Sequence, residues 1–268
     1  MLYVSNEKIR NILIHCVLLG ALLVIYPYAS HAKIAWLLLL VVLNGVVCIS
    51  NFSMPIRYMV LSLSVFLGLY LQVEKLNILP NIIWLENVRT APHAPFFNIG
   101  LNGDKLFMAL AYLPLLPMIR LHPRQVAVAG LIFITFLYLM VTSSILVTAG
   151  LFFDHIRFDF TLPNYIPIWA CNMLIVCTYE EVFFRGILQN ALMKCLPRYS
   201  WVAILVASIL FGYAHHQMGW TLVGLSAISG VFYGSLYKLS RTLWCPIILH
   251  FAMNSIHFLF FSYPRLGA

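Results

Sequence analysis

Between residues 11 and 262 the sequence is a succession of long apolar runs separated by short polar connections, and this excludes most of what a chain of 268 residues can become. A run of about 17 to 25 apolar residues crosses the hydrocarbon core of a bilayer as a helix. Only a helix satisfies its own backbone N–H and C=O groups there. Candidate spans fall at 11–28, 33–50, 57–74, 105–120, 125–150, 164–194, 200–217, 219–239 and 243–262. The fourth contains LFMALAYLPLLPMI, short and with two prolines, so a kinked or re-entrant segment is expected there and an eight-span arrangement stands beside the nine-span one. The predicted fold class is all-α, a polytopic membrane helix bundle of about 8–9 spans. Only 9% of the residues are charged, against about 25% in soluble domains, which leaves no room for a separate soluble domain of ordinary size.

The formal net charge of +8 comes from basic residues scattered singly and in pairs, not from a patch of the kind that grips nucleic acid, so no nucleic-acid partner is expected. Their distribution is read as orientation. With the N-terminus in the cytoplasm, Lys8, Arg10, Arg57, Arg120, Arg124, Lys194, Arg198, Lys238 and Arg241 fall inside, while Lys33, Lys75, Arg89, Lys105, Arg157 and Arg265 fall outside. The chain is thus expected in the cell membrane as a multi-pass protein. Residues 1–32 have the outline of a signal peptide, with YASHA before a cleavage point after Ala32, but in a chain with many later spans an uncleaved first helix is the expectation. The six cysteines show no CxxC spacing and are read as packing residues. Residues 75–104, the longest polar connection, read as an external loop or interfacial lid with prolines at 80, 92 and 95.

One span breaks the pattern. TYEEVFFRGILQ, residues 178–189, puts Glu180, Glu181 and Arg185 inside an apolar run, at a combined cost on the order of 8 to 10 kcal/mol before pairing. On a helix Glu181 and Arg185 are one turn apart with the acid first, the favourable order for an ion pair. Glu180, about 100° round the helix, is not accounted for by that pair. A structural reading makes it a second glutamate kept neutral by desolvation; a functional reading requires other polar groups to converge. Two later spans supply candidates. The first ends in Phe211 and His215, with His216 beside it as an interfacial residue; the last carries His250 and Asn254 one turn apart, with His257 on the same stripe. His250 and Asn254 are both suitable oxyanion donors.

The motifs EExxxR (Glu180, Glu181, Arg185), FxxxH (Phe211, His215) and HxxxN (His250, Asn254), in that order on apolar spans, resemble the CPBP family of CaaX proteases and bacteriocin-processing enzymes, the Abi-type intramembrane proteases. The resemblance covers about residues 164–262, read as the catalytic core; residues 1–150, read as N-terminal membrane helices, carry no family signal. It implies helices enclosing a polar catalytic cavity in which Glu180 is the general base and His215 its partner on the water. His250 and Asn254 then position that water or stabilise the oxyanion, and Glu181 and Arg185 hold the site electrostatically. No cofactor is implied. A zinc-dependent alternative would use Glu180, His215 and His250, although the sequence has no HExxH. The implied substrate is a membrane-anchored, lipidated or exported protein, cut at a prenylated CaaX end, a leader or a C-terminal sorting signal. A transporter or a non-enzymatic scaffold is the alternative from another class.

On this topology Glu180 lies about 24 Å from the outer end of its span and His215 near the outer end of its own, which tilts the reading toward a sorting-signal or exported-peptide protease. Single cysteines introduced at Gln217 and Lys194 test the topology: position 217 is expected to react with an impermeant label from outside and position 194 from the cytoplasm. Labelling of position 217 from the cytoplasmic side alone would reverse the assignment.

Overall fold

The computed structural model describes residues 6–25, 31–49, 52–74, 78–90, 94–116 and 127–264. Lys75, Pro92, Arg120, Arg124, Arg265 and the end of the fourth candidate span, 117–120, lie outside the described residues. The chain divides into two compact units, residues 1–82 with 102–120, and residues 83–101 with 121–268.

The first unit contains α1 (Asn6–Ile25), α2 (His31–Ile49), α3 (Met54–Glu74) and α4 (Gly103–Tyr112). Pro114 lies in the 3-10 turn Leu113–Leu115 directly after α4. The α-helical part therefore spans about 15 Å, half the hydrocarbon thickness, and the turn after it carries the first of the two prolines. Buried polar groups join three of these helices. Asn44 donates to the Ala111 carbonyl at 2.9 Å, the Ser64 hydroxyl donates to Asn44 Oδ1, and the Tyr112 hydroxyl donates to the Ser64 carbonyl at 2.6 Å. Asp104 receives the backbone N–H groups of Ile78 and Leu79, and Asn102 caps α4 by accepting from the N–H of Lys105.

The connection expected to be a loop holds two strands, β1 (Ile82–Val88) and β2 (Phe97–Leu101), paired into a small sheet. The all-α expectation is corrected there. IIWLENV and FNIGL are short runs rich in β-branched and aromatic residues, and the surrounding prolines hid their strand character. Ile99 packs with Trp169 and Phe258, whose rings stack at 4.0 Å between centroids.

Five helices form the rest of the second unit: α5 (Val128–Phe152), α6 (Ile166–Cys195), α7 (Ser200–Tyr213), α8 (Trp220–Ser240) and α9 (Trp244–Phe260). Helix α5, on the N-terminal side of the sequence division at 150, lies in this unit. Among the described residues α5, α6 and α8 are long and apolar enough to cross a membrane, with 25, 30 and 21 residues. Shorter apolar helices run over Ile9–Leu22, Ile34–Cys48, Ile56–Leu71 and Trp244–Phe260. Helix α6 starts with Pro167 in its first turn, where a missing N–H costs nothing, and stops before Pro197. Helix α8 follows Gly219, whose φ of 99° suits glycine alone. An extended segment after α5 crosses the end of α9, with Asp159 and Thr161 donating to the Phe260 and Leu259 carbonyls.

Helices α7 and α8 touch through glycine. A Cβ on Gly212 would lie 2.5 Å from the Val223 carbonyl oxygen, and one on Gly230 would lie 2.9 Å from Ser208 Cα. No side-chain layer separates the two backbones at these points. Gly212→Ala is expected to cost about 1–3 kcal/mol through overpacking, seen as a lower melting temperature in detergent. Gly224→Ala, with nothing within 4 Å of its Cβ, should leave that temperature unchanged or slightly higher.

Candidate active site

The charged motif lies at the centre of α6, where every residue from 179 to 190 is buried. This turns a lipid-crossing cost into a problem of internal pairing. The helix is α-helical through Glu181 and widens into a π-helical stretch over Val182–Gln189 before closing with an α-helical turn at Asn190–Cys195. Such stretches are rare and concentrate at functional sites. The pair expected from the i, i+4 spacing is present: Arg185 Nη1 donates to Glu181 Oε1 at 3.1 Å. Arg185 Nη2 donates to the Gly230 carbonyl on α8 at 3.2 Å. One turn on, Gln189 repeats that contact and donates to the Gly234 carbonyl at 2.9 Å, while Asn190 donates to the Tyr237 hydroxyl at 2.7 Å. Glu180 is 3% exposed, so its carboxyl group too lies in the interior.

Phe211, from α7, explains why an aromatic residue precedes the histidine. The Arg185 guanidinium lies 4.5 Å from its ring centroid and 5.3 Å from that of Tyr233. Each such desolvated cation–π contact contributes about 2 kcal/mol. The same phenyl ring meets His215 at 5.1 Å and His250 at 5.7 Å, both edge to face. His215 lies just beyond the end of α7, and its Nδ1 donates to the Phe211 carbonyl at 2.9 Å. A carbonyl only accepts, so Nδ1 carries a proton in this contact. His216 donates to the Tyr213 carbonyl and stacks on that ring.

From α9, His250 Nδ1 donates to Glu181 Oε1 at 2.9 Å, and the imidazole stacks on Tyr233 at 4.8 Å. Glu181 Oε1 is thus shared by a guanidinium and an imidazole, while its Oε2 has no hydrogen-bond partner among the described residues. Asn254 donates to the sulfur atoms of Met173 and Cys177 at 3.2 and 3.4 Å. Sulfur is a weak acceptor, so a stronger one can recruit this amide. His257 makes its contact with the Ser262 carbonyl, at the end of the helix.

The structure gathers Glu181, Arg185 and His250 into one hydrogen-bonded group, with Glu180 beside it on α6 and His215 joined to it through Phe211. Sequence reasoning missed Tyr233, Gln189, Asn190 and the structural part played by Phe211; buried polar residues one turn past Arg185 were the available signal for the second and third. Among the described residues no group of three or more His, Cys, Asp or Glu side chains is placed to hold a metal ion.

A protein-family model described as Rce1-like, type II CAAX prenyl endopeptidase Rce1-like, matches residues 162–256. Over that stretch, about a third of the chain, the sequence is similar to that family. All three motifs fall inside the match, which supports the CPBP resemblance read from them, and the Rce1-like region coincides with α6 to α9. Residues 1–161 lie outside it. No curated protein and no solved structure matches the chain.

Removing the Arg185 guanidinium leaves a buried carboxylate without its cation. Arg185→Ala is expected to cost about 3–5 kcal/mol, read as lost folded protein and a lower melting temperature. The double variant Glu181→Gln, Arg185→Met should recover a substantial part of that loss. A double variant no more stable than the single one would show that the pair is not what the arginine serves.

Proposed function

We propose that this protein is a multi-pass intramembrane endopeptidase that hydrolyses a peptide bond in a membrane-anchored or exported protein, with Glu180 activating the water. The observation that carries the reading is the commitment of Glu181. Its Oε1 is held by Arg185 and His250, which fits it to a positioning role. Glu180, one residue earlier and in the same buried segment, takes the proton from water and returns it to the leaving amine. His215, with Nδ1–H fixed on a carbonyl, offers Nε2 to the same water. The Asn254 amide is the donor assigned to the developing oxyanion.

In this reading the chain has eight or nine spans with the N-terminus in the cytoplasm. The substrate is a C-terminal sorting signal or an exported peptide. The printed description of the matching family supports a second reading, cleavage at a prenylated CaaX end, and a prenylated reporter offered beside an exported one decides between them.

Co-expression with a candidate substrate encoded nearby tests the mechanism. Glu180→Gln and His215→Ala are expected to insert and fold yet leave the substrate uncut; normal cleavage by Glu180→Gln would refute the assigned base. The purified protein is also expected to keep its activity after rigorous chelation. Complete loss, restored by zinc, would replace the metal-free mechanism.

A further inference from the structure

One end of the second unit carries charge of a single sign. Helix α6 ends at Cys195, α7 begins at Ser200, α8 ends at Ser240 and α9 begins at Trp244, so the connections 196–199 and 241–243 share that end. Lys238 joins them by donating from Nζ to the Ser200 hydroxyl. Four cations gather on it: Lys194 in the last turn of α6, Arg198 in the 3-10 turn that follows, Lys238 in the last turn of α8, and Arg241, whose φ of 60° terminates that helix. Lys194 and Arg198 are exposed. No Asp or Glu occurs anywhere in the sequence after Glu181. Large aromatic residues flank the cations, with Tyr199, Trp201 and Trp244 exposed by 51%, 58% and 69%. The connection from α5 to α6, at the other end of α6, is different in kind, because Asp154 and Asp159 accompany Arg157 there.

We propose that the basic end is a docking surface for anionic phospholipid headgroups. Cations on connections that contain no Asp or Glu complement a layer of phosphates, and each Lys or Arg near an anionic leaflet strengthens the attraction by about fivefold. The aromatic residues select a membrane over a soluble acidic partner. Indole and phenol rings settle at headgroup level, so Trp201 and Trp244 hold the bundle at the depth where the four side chains meet the phosphates. Because the surface is exposed, the attraction weakens as salt rises.

The test uses the full chain in nanodiscs of mixed phosphatidylcholine and phosphatidylglycerol, with the lipid retained by the protein quantified by mass spectrometry. The wild-type protein should enrich phosphatidylglycerol at low salt and lose the enrichment at high salt. The exposed pair Lys194→Gln, Arg198→Gln should lower that preference at least fivefold while Arg198→Lys preserves it, and the further changes Lys238→Gln and Arg241→Gln should abolish it. If the fourfold variant fails to fold, the exposed pair decides alone. Equal retention of both lipids by the wild-type protein, or an unchanged preference in the exposed pair, overturns the proposal. So does binding of a polyglutamate peptide in pure phosphatidylcholine discs without any lipid preference in the mixed ones.

Discussion

The second unit is organised around one buried guanidinium. An arginine inside apolar surroundings demands a counter-ion, acceptors for its remaining N–H groups and polarisable faces to lie against, and Arg185 obtains these from three other helices and from its own. Glu181 neutralises it from α6, Gly230 supplies a carbonyl from α8, Phe211 and Tyr233 supply rings from α7 and α8, and His250 of α9 binds the same carboxylate. Satisfying that single charge therefore fixes four helices relative to each other. A site that must hold a carboxylate, an imidazole and an amide in register inside a bilayer gains its rigidity from the same contacts that make the charge tolerable.

Much of this was legible in the sequence, because it rests on local spacing. The Glu181–Arg185 pair follows from two residues four apart on an apolar helix, and the helical segments follow from the apolar runs. Other features depend on contacts that spacing does not encode. His250 was expected to work with Asn254, one turn away on the same helix, yet its hydrogen bond goes to Glu181, 69 positions earlier in the chain. The π-helical stretch was hidden because VFFRGILQ is equally compatible with an α-helix. The two strands between α3 and α4 were hidden by prolines that mark loops more often than sheets. Tyr233 has no charge to announce it, and its part is visible only in the stacking against His250 and the face it offers Arg185.

Each unit carries a cluster of buried polar residues. In the first, Asn44, Ser64 and Tyr112 satisfy one another and a neighbouring carbonyl, which is the economy of a structural network. In the second, the carboxylate Oε2 of Glu181 lies buried without a donor among the described residues, and the Asn254 amide rests on sulfur. Hydrogen-bonding capacity held in reserve at buried positions is costly. At Glu181 and Asn254 it lies beside the three motifs, inside the region similar to an endopeptidase family.

The glycine contacts between α7 and α8 limit how a polypeptide reaches that chemistry. Helices separated by side chains can slide or part as rotamers change, whereas Gly212 and Gly230 bring backbone against neighbouring backbone and side-chain atoms with nothing between them to yield. The α7–α8 hairpin therefore moves as one rigid plate. In the proposed reading, a gate that admits a substrate to Glu180 opens along the borders of this hairpin and not along the seam within it.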